Sequence, residues 1–295
     1  MAKLKKVIIP IAGLGTRMLP VTKAIPKEML PLAGAPLIQH IVKEAINSGL
    51  SEIIFVTNPS KASVKKHFRD DIKLENVLNQ KINKTLLKEI KKISKLNSKI
   101  TFINQNKPKG LGHAILTAKS LLANEPFAVI LPDMIIDPIK KMNNLKLMKK
   151  NFEQSGESSI LLAKAKKSQL KNYGIAKLKK RNTKDKFFPI VDVIEKPSTE
   201  KAPSNLFVAG RYIFDNEILN FLANEKPDTS GEIQLTGAIS NFLNSSNIIN
   251  GLLLDGDIYD CGNKLGYSIA NLAFSFKDTD IKKEVLKFTK KYFAK

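Results

Sequence analysis

The sequence predicts an α/β fold: a mostly parallel, mixed central sheet flanked by helices. Three observations carry this reading. Short β-branched runs alternate with helical stretches through the first half, which calls for parallel strands joined by crossovers. The second half is richer in strands, which predicts a mixed extension of the sheet. No Gly/Ser-rich linker or internal repeat divides the chain, so one domain is expected over 1–295,. Within it, a first half would reach about 135, a second would span about 136–265, and closing helices would fill 266–295.

In order, residues 7–11 read as a buried strand, 37–48 as a helix stopped by Gly49, 52–57 as a strand, and 61–68 as a helix capped by Ser60,. Leu74, Leu78, Ile82, Leu86, Ile90 and Ile93 recur at three- or four-residue steps, which predicts a helical excursion over 70–96 before a strand at 100–104,. A helix near 114–122 leads to a strand at 127–131. Strands at 159–163, 175–178, 190–194 and 206–214 then precede helices at 215–223 and 235–243. The stretches KAKKSQLKNYG and LKKRNTKDKFFP read as polar loops. Ile281, Val285, Leu286, Phe288 and Phe293 place a packed terminal helix in 278–295.

Composition narrows the chemistry. A single cysteine, Cys261, excludes an internal disulfide framework, and three histidines, His40, His67 and His113, without an H-E-x-x-H spacing leave little for a zinc centre,. No apolar run approaches the ~18 residues of a membrane span, so no membrane partner is expected. The opening MAKLKKVIIPIAGLGTRM imitates a signal peptide, but Pro10, Gly13 and Gly15 break its apolar run and no small-x-small cleavage site follows,. The expectation is a strand entering a loop, in a cytoplasmic protein.

The balance of 49 basic to 27 acidic residues gives a net charge of +22. That invites a nucleic-acid reading. Only four of the basic residues are arginine (Arg17, Arg69, Arg181, Arg211), and the lysines are spread along the chain without interleaved aromatics. Arginine is the usual reader of base edges, so no specific nucleic-acid partner is expected.

Directly after the first strand stands AGLGTRMLPVTKAIPKEMLPLAGAP, residues 12–36. Gly13 and Gly15 let backbone amides turn toward an anion, and Thr16 and Arg17 add a hydroxyl and a forked cation at the same point. The dinucleotide fingerprint needs a glycine where Met18 stands, and the P-loop needs a terminal G-K-S/T, so neither common motif is present. Pro20, Pro26, Pro31 and Pro36 predict an extended, non-helical path that carries Lys23 and Lys27 beside Arg17,.

This stretch resembles the signature of the sugar-nucleotide pyrophosphorylases, in wording closest to the members that join UTP to glucose 1-phosphate. NQNKPKGLGHA, AVILPDMIIDP, NYGIAK, VIEKPSTEKAPSNLFVAGRYIF, GEIQLT and YDCGNKLGY resemble the same family in the same order and together cover nearly the whole chain. The resemblance implies a Rossmann-like nucleotidyltransferase fold whose first half binds the nucleotide and whose second binds the sugar phosphate. By position, Ala12, Gly13, Gln105 and Gly110 resemble contacts to the base and nucleoside. Gly15, Thr16, Arg17 and Lys27 resemble the triphosphate cradle, with Lys27 serving transition-state charge and Glu28 bordering the nucleotide. Asp133 and Asp260 resemble a Mg²⁺ site, which suits hard carboxylate oxygens. Gly174, Glu195, Lys196 and Val208 resemble the sugar-phosphate pocket.

The implied reaction has a phosphate oxygen of glucose 1-phosphate attacking the α-phosphorus of UTP in line, giving UDP-glucose and pyrophosphate. A sugar phosphate with a second pKa near ~6 is already mostly dianionic at neutral pH, so no general base is needed. A homo-oligomer, dimer or tetramer, is also implied. Other readings stay open: a different base or hexose, such as dTTP or galactose 1-phosphate, since Gln105 reads an edge that uracil and thymine share; or a non-catalytic UDP-glucose-binding paralogue. Two departures stand out. Met134 follows Asp133 where some members carry a second acid, and Gly237 stands where the family usually has an aspartate after GEIQLT.

Overall fold

Val7 and Ile9 of the first strand, β1 (Lys6–Pro10), face one hydrophobic core and Ile8 faces another. Burial on both faces is what makes the run continuously apolar. The computed structural model of the chain describes residues 3–81, 84–138, 143–179 and 185–294. Ile82 of the helical pattern and Arg181 lie outside the described residues.

After β1 come a small hairpin, β2 (Pro31–Leu32) and β3 (Ala35–Pro36), then α1 (Leu37–Asn47), β4 (Glu52–Thr57) and α2 (Ala62–Phe68). The helices α3 (Ile72–Gln80) and α4 (Lys84–Ser94) precede β5 (Ile100–Asn104), and α5 (Gly110–Thr117) and α6 (Lys119–Leu122) precede β6 (Phe127–Ile130). The chain continues through β7 (Met134–Asp137), α7 (Asn144–Ser155), β8 (Ser158–Lys164), β9 (Gly174–Leu178), β10 (Phe187–Glu195) and β11 (Leu206–Phe214). It closes with α8 (Ile218–Asn224), α9 (Leu235–Asn244), β12 (Ile249–Leu253), β13 (Asp257–Asp260), α10 (Lys264–Ser275) and α11 (Lys282–Phe293).

One nine-stranded sheet runs in the order β5-β4-β1-β6-β11-β8-β12-β10-β9. The first four strands are parallel; β11 then enters antiparallel between β6 and β8, and the far end is mixed. This matches the predicted architecture. A separate ribbon pairs β7 with β13 antiparallel, setting Met134 opposite Asp260.

Local expectations are corrected in several places. The helical excursion expected over 70–96 takes the form of α3 and α4. The cap before α2 is Asn58: its side chain accepts from Ser60 N at 2.9 Å and opens a 3₁₀ turn at Pro59–Lys61. The proline-rich stretch is threaded by three 3₁₀ turns, Thr16–Met18, Val21–Lys23 and Lys27–Met29. Pro20 and Pro26 sit just before two of them, where proline's fixed φ and missing N–H do no harm,. Six residues of the KAKKSQLKNYG loop form another 3₁₀ turn, Lys167–Asn172. The terminal helix forms but does not bury its stripe: Phe288 is 67% exposed and Phe293 80%. The helix α9 runs unbroken through Gly237, and the Glu225 carboxylate fills the space a side chain there would take.

Candidate active site

The order β5-β4-β1-β6 creates a switch point. The chain leaves β1 toward β4 on one side, while β6 lies on the other, so the loops at their carboxyl ends diverge and leave a crevice where α/β sheets present ligands,. The loop after β1 carries Arg17 and Lys27; the turn after β6 carries Asp133.

Side chains from three segments meet there. Lys27 Nζ donates to Asp133 Oδ2 at 2.6 Å. Arg17 reaches both acids, with Nη1 3.4 Å from Asp260 Oδ2 and Nη2 3.9 Å from Asp133 Oδ2. Asp260 ends β13 and is brought alongside by the β7–β13 ribbon. Its Oδ1 accepts from Gly262 N at 2.9 Å, and its Oδ2 accepts from Tyr173 OH at 3.2 Å. Gly262 sits at the focus. A Cβ there would stand 2.8 Å from Asp133 Oδ2, 2.9 Å from Asp260 Oδ1 and 2.5 Å from Arg17 Nη2, so two carboxylates converge on a point that only glycine leaves open.

The electrostatics keep the charges in place. Burial alone would lower the Lys27 pKa, but Asp133 and Glu28 outweigh it and hold the ammonium above its ordinary value. Burial would likewise raise Asp133, and Lys27, with help from Arg17, overrides it and holds the carboxyl below the usual range. Burial, with Asp260 beside it, pushes the Tyr173 hydroxyl up to about 12, so it stays a donor to Asp260. Burial also pushes the Cys261 thiol up to about 12, far from a nucleophilic thiolate,.

Beside this cluster opens a cavity of about 230 Å³ whose wall includes Arg17, Asp133, Gly174, Glu195, Val208 and Asp260, together with Tyr173, Tyr212 and Thr236. Gly174 and Glu195 stand directly opposite each other on β9 and β10. Lys196 follows Glu195 in the chain, with a backbone φ of 41° and Nζ 3.4 Å from Glu195 Oε1. A side chain in that left-handed region is uncommon, and such positions gather at functional sites.

The other sequence-selected residues lie along the β1 loop and the neighbouring strand ends, outside the cavity wall. Ala12 is buried and its carbonyl accepts from Asn58 Nδ2 at 2.6 Å, while Gly13 and Thr16 are exposed. Gly15 adopts φ 69° and its carbonyl accepts from Thr22 Oγ1 at 2.9 Å. Gln105 is buried at the end of β5; its Nε2 lies 2.7 Å from His113 Nδ1 and donates to Gly110 O at 3.4 Å. Glu28 points inward, 1% exposed, and pairs with Lys61 at 2.8 Å. Tyr173, Gly262, His113 and Lys61 were not singled out from the sequence. Tyr173 and Gly262 fall inside motifs that were, NYGIAK and YDCG.

Residues 6–274 match the nucleotidyl transferase family. Over 276 residues the chain is 42% identical to a UTP–glucose-1-phosphate uridylyltransferase of Haemophilus ducreyi, covering 92% of this chain and 93% of that one. Over 279 residues it is 41% identical to the protein of that name from Escherichia coli K12, covering 93% and 91%. Among solved structures, the UTP-bound UGPase from Acinetobacter baumannii superposes with a TM-score of 0.89 at 35% identity, covering 97% of this chain and 98% of that one. A UDP-glucose pyrophosphorylase complexed with UDP-glucose gives 0.82 at 36%, covering 93% and 100%. The chain belongs to the nucleotidyl transferase family and, within it, to the UTP–glucose-1-phosphate uridylyltransferases.

Proposed function

We propose that this single-domain chain transfers the uridylyl group of UTP to glucose 1-phosphate in the crevice between β1 and β6. The observation that carries the reading is the meeting of Lys27, Arg17, Asp133 and Asp260 at the switch point, next to a cavity walled by Glu195. A phosphate oxygen of the sugar attacks the α-phosphorus of UTP, the bond from that phosphorus to the β-phosphate oxygen breaks, and pyrophosphate departs with the electron pair. No proton has to be removed from the nucleophile. The protein's task is therefore to hold two polyanions in line and offset their repulsion.

Lys27 and Arg17 supply that positive charge from one side, and Lys196 supplies it where the sugar phosphate enters. Gly13, Gly15 and Thr16 present the loop to the triphosphate, and Ala12, Gln105 and Gly110 border the nucleoside. The His113 contact orients the Gln105 amide toward the base. Glu28 supports Lys27 from behind through its negative charge. Gly174, Glu195 and Val208 receive the glucose ring, with the carboxylate accepting from its hydroxyls.

A divalent cation suits the site, and Mg²⁺ is the one proposed. The Asp133 and Asp260 carboxylates approach each other beside Gly262, where the Arg17 guanidinium sits against both, and an ion that keeps waters and phosphate oxygens needs few protein ligands,. Among the described residues no third acidic, histidine or cysteine ligand joins them. When bound, the ion supplies charge that offsets the phosphates; Asp133 and Asp260 would hold it. The exposed apolar stripe of α10 and α11, with Leu265, Ile269, Leu272 and Phe293, supports a homo-oligomer, which light scattering would report,. No helix among the described residues is long and apolar enough to cross a membrane. A cytoplasmic setting, where UTP is at hand, is part of the proposal.

The test is pyrophosphate release from a panel of nucleoside triphosphates and hexose 1-phosphates, with and without Mg²⁺. Release confined to UTP with glucose 1-phosphate and dependent on the ion is expected. Release with another pair, or none, overturns the reading.

A further inference from the structure

Asp133 stands on a short turn between β6 and β7, and that turn is gripped from beneath by a side chain the proposed chemistry does not use. Arg211 is fully buried, at 0% exposure. Its Nε donates to Glu44 Oε1 at 2.9 Å and its Nη2 to Glu44 Oε2 at 2.7 Å. The same guanidinium donates from Nη2 to Met134 O at 2.8 Å and from Nη1 to Leu131 O at 3.4 Å. Those two carbonyls bracket Pro132 and Asp133, so one rigid fork holds both ends of the turn.

The fork reaches the turn because β11 bulges. Its register against β8 shifts between Val208 and Tyr212, and Gly210 within the shift has φ 73°,. A Cβ on Gly210 would lie 3.0 Å from Leu131 Cβ and 3.2 Å from Met134 Cγ, while Leu131 N donates to Gly210 O at 2.9 Å. The bulge thus presses backbone against the turn and delivers Arg211 under it. Glu44, on α1, fixes the guanidinium from the opposite side and is itself 18% exposed.

Stability is a weak reason for this arrangement, since well-packed apolar residues often replace a buried ion pair at no loss. Geometry is a better one. A planar guanidinium bound to a carboxylate along one edge has donors left in fixed directions, which neither lysine nor methionine can reproduce.

We propose that Arg211, oriented by Glu44, is a positioning residue for the reaction: it sets the height and angle of the Asp133 carboxylate relative to Lys27 and Asp260. The inference rests on the reading that Asp133 helps to hold a divalent cation. Outer partners of metal-binding carboxylates typically matter by ~10–100-fold in metal affinity or activity.

The experiment compares wild type, Arg211→Met, Arg211→Lys, Glu44→Gln and a destabilised control, Leu219→Ala, in the second core. Mn²⁺ affinity by calorimetry with UDP-glucose present, kcat, the KM for glucose 1-phosphate and the melting temperature are measured for each. Expected is a loss of about tenfold or more in Mn²⁺ affinity and kcat for both Arg211 variants, with the sugar-phosphate KM little changed and lysine giving no rescue. Glu44→Gln falls between, because its amide oxygen keeps one acceptor. Leu219→Ala melts earlier yet keeps Mn²⁺ affinity and kcat. Folded Arg211 variants with wild-type Mn²⁺ affinity and kcat overturn the proposal. If they do not fold, a Glu44→Gln protein unchanged in both overturns it equally. Wild type that binds no Mn²⁺ and makes no UDP-glucose refutes the functional reading, and the positioning role with it; an active wild type with unaffected variants refutes the positioning role alone.

Discussion

Lys27 and Asp133 form an ion pair of 2.6 Å that spans the crevice between the β1 loop and the β6 turn. In the reaction proposed, Lys27 answers charge that grows on the phosphates as the anhydride breaks. Lys27→Ala should lower kcat by at least about a hundredfold, roughly 3 kcal/mol of transition-state stabilisation, while UTP still binds. Single-turnover kinetics beside equilibrium UTP titration make the comparison, and unchanged turnover removes Lys27 from the mechanism.

Asp133→Asn should remove divalent-dependent turnover and leave the chain folded. The amide is isosteric, and Arg17 loses one of its two acids but keeps Asp260. Activity across a Mg²⁺ titration, paired with circular dichroism, reads this out. Retained turnover would mean that the phosphates alone carry the cation.

Gly262→Ala should be nearly as harmful, although it adds one methyl group. That methyl would crowd Arg17, Asp133 and Asp260 together. Displacements on the order of 1 Å can cost ~100-fold in rate. The expected result is a folded protein with a large loss of kcat and a raised Mg²⁺ requirement; near-normal kinetics would show that the three groups need not converge.

The pH profile should be set by the substrate. Asp133, held below its ordinary 3.8, contributes its stabilisation in full above that value and loses it only as pH falls through the lower folded pKa,. Lys27, held above 10.5, contributes in full below that value and loses it only as pH rises through the higher folded pKa,. His40, His67 and His113 are all lowered, first by burial, and are neutral at pH 7. Asp133 and Lys27 are both shifted away from the neutral range, so the acid limb of kcat/KM should follow the sugar phosphate near ~6,. A more acidic phosphonate analogue should shift that limb down; a limb that stays put points to an enzyme group.

Lys61→Met tests the pair behind Lys27. Glu28 is buried with Lys61 as its ion-pair partner, and burial raises its pKa even with the lysine present. Removing one member of a buried pair costs about 3–5 kcal/mol. Because burial holds the Glu28 pKa above its unfolded value, the penalty should be smaller at an acidic pH than at pH 7, where the carboxyl stays charged,. Urea denaturation at the two pH values measures it, and a penalty that is absent or independent of pH contradicts the account.

The strands β1, β4, β5 and β6 were legible in the sequence because burial on both faces leaves unbroken β-branched runs. The strands β12 and β13 and the helix α7 were not foreseen. INGLL is interrupted by Asn250 and Gly251, and DIYD is a half-exposed strand that, among the described residues, pairs only with β7. In the site, Arg17 and Lys27 were legible from the glycine- and proline-rich loop that carries them, whereas Asp133 and Asp260 were reached through motif resemblance. Their convergence needs pairings 106 and 243 residues apart, to which local spacing is blind. Tyr173, Lys61 and Arg211 went unassigned for the same reason. A tyrosine in a polar loop and a lysine among dozens give no local sign of a buried partner.

The two-stranded ribbon of β7 and β13 has a consequence for synthesis. Its four rungs are what set Asp260 beside the Asp133 turn, and β13 is made long after the sheet strands β1, β4, β5 and β6. A growing chain on the ribosome can complete that parallel half and still lack half of its acidic pair. If the proposed role of that pair holds, the nascent protein would transfer no uridylyl group until the segment around residue 260 has emerged from the exit tunnel and zipped onto its partner.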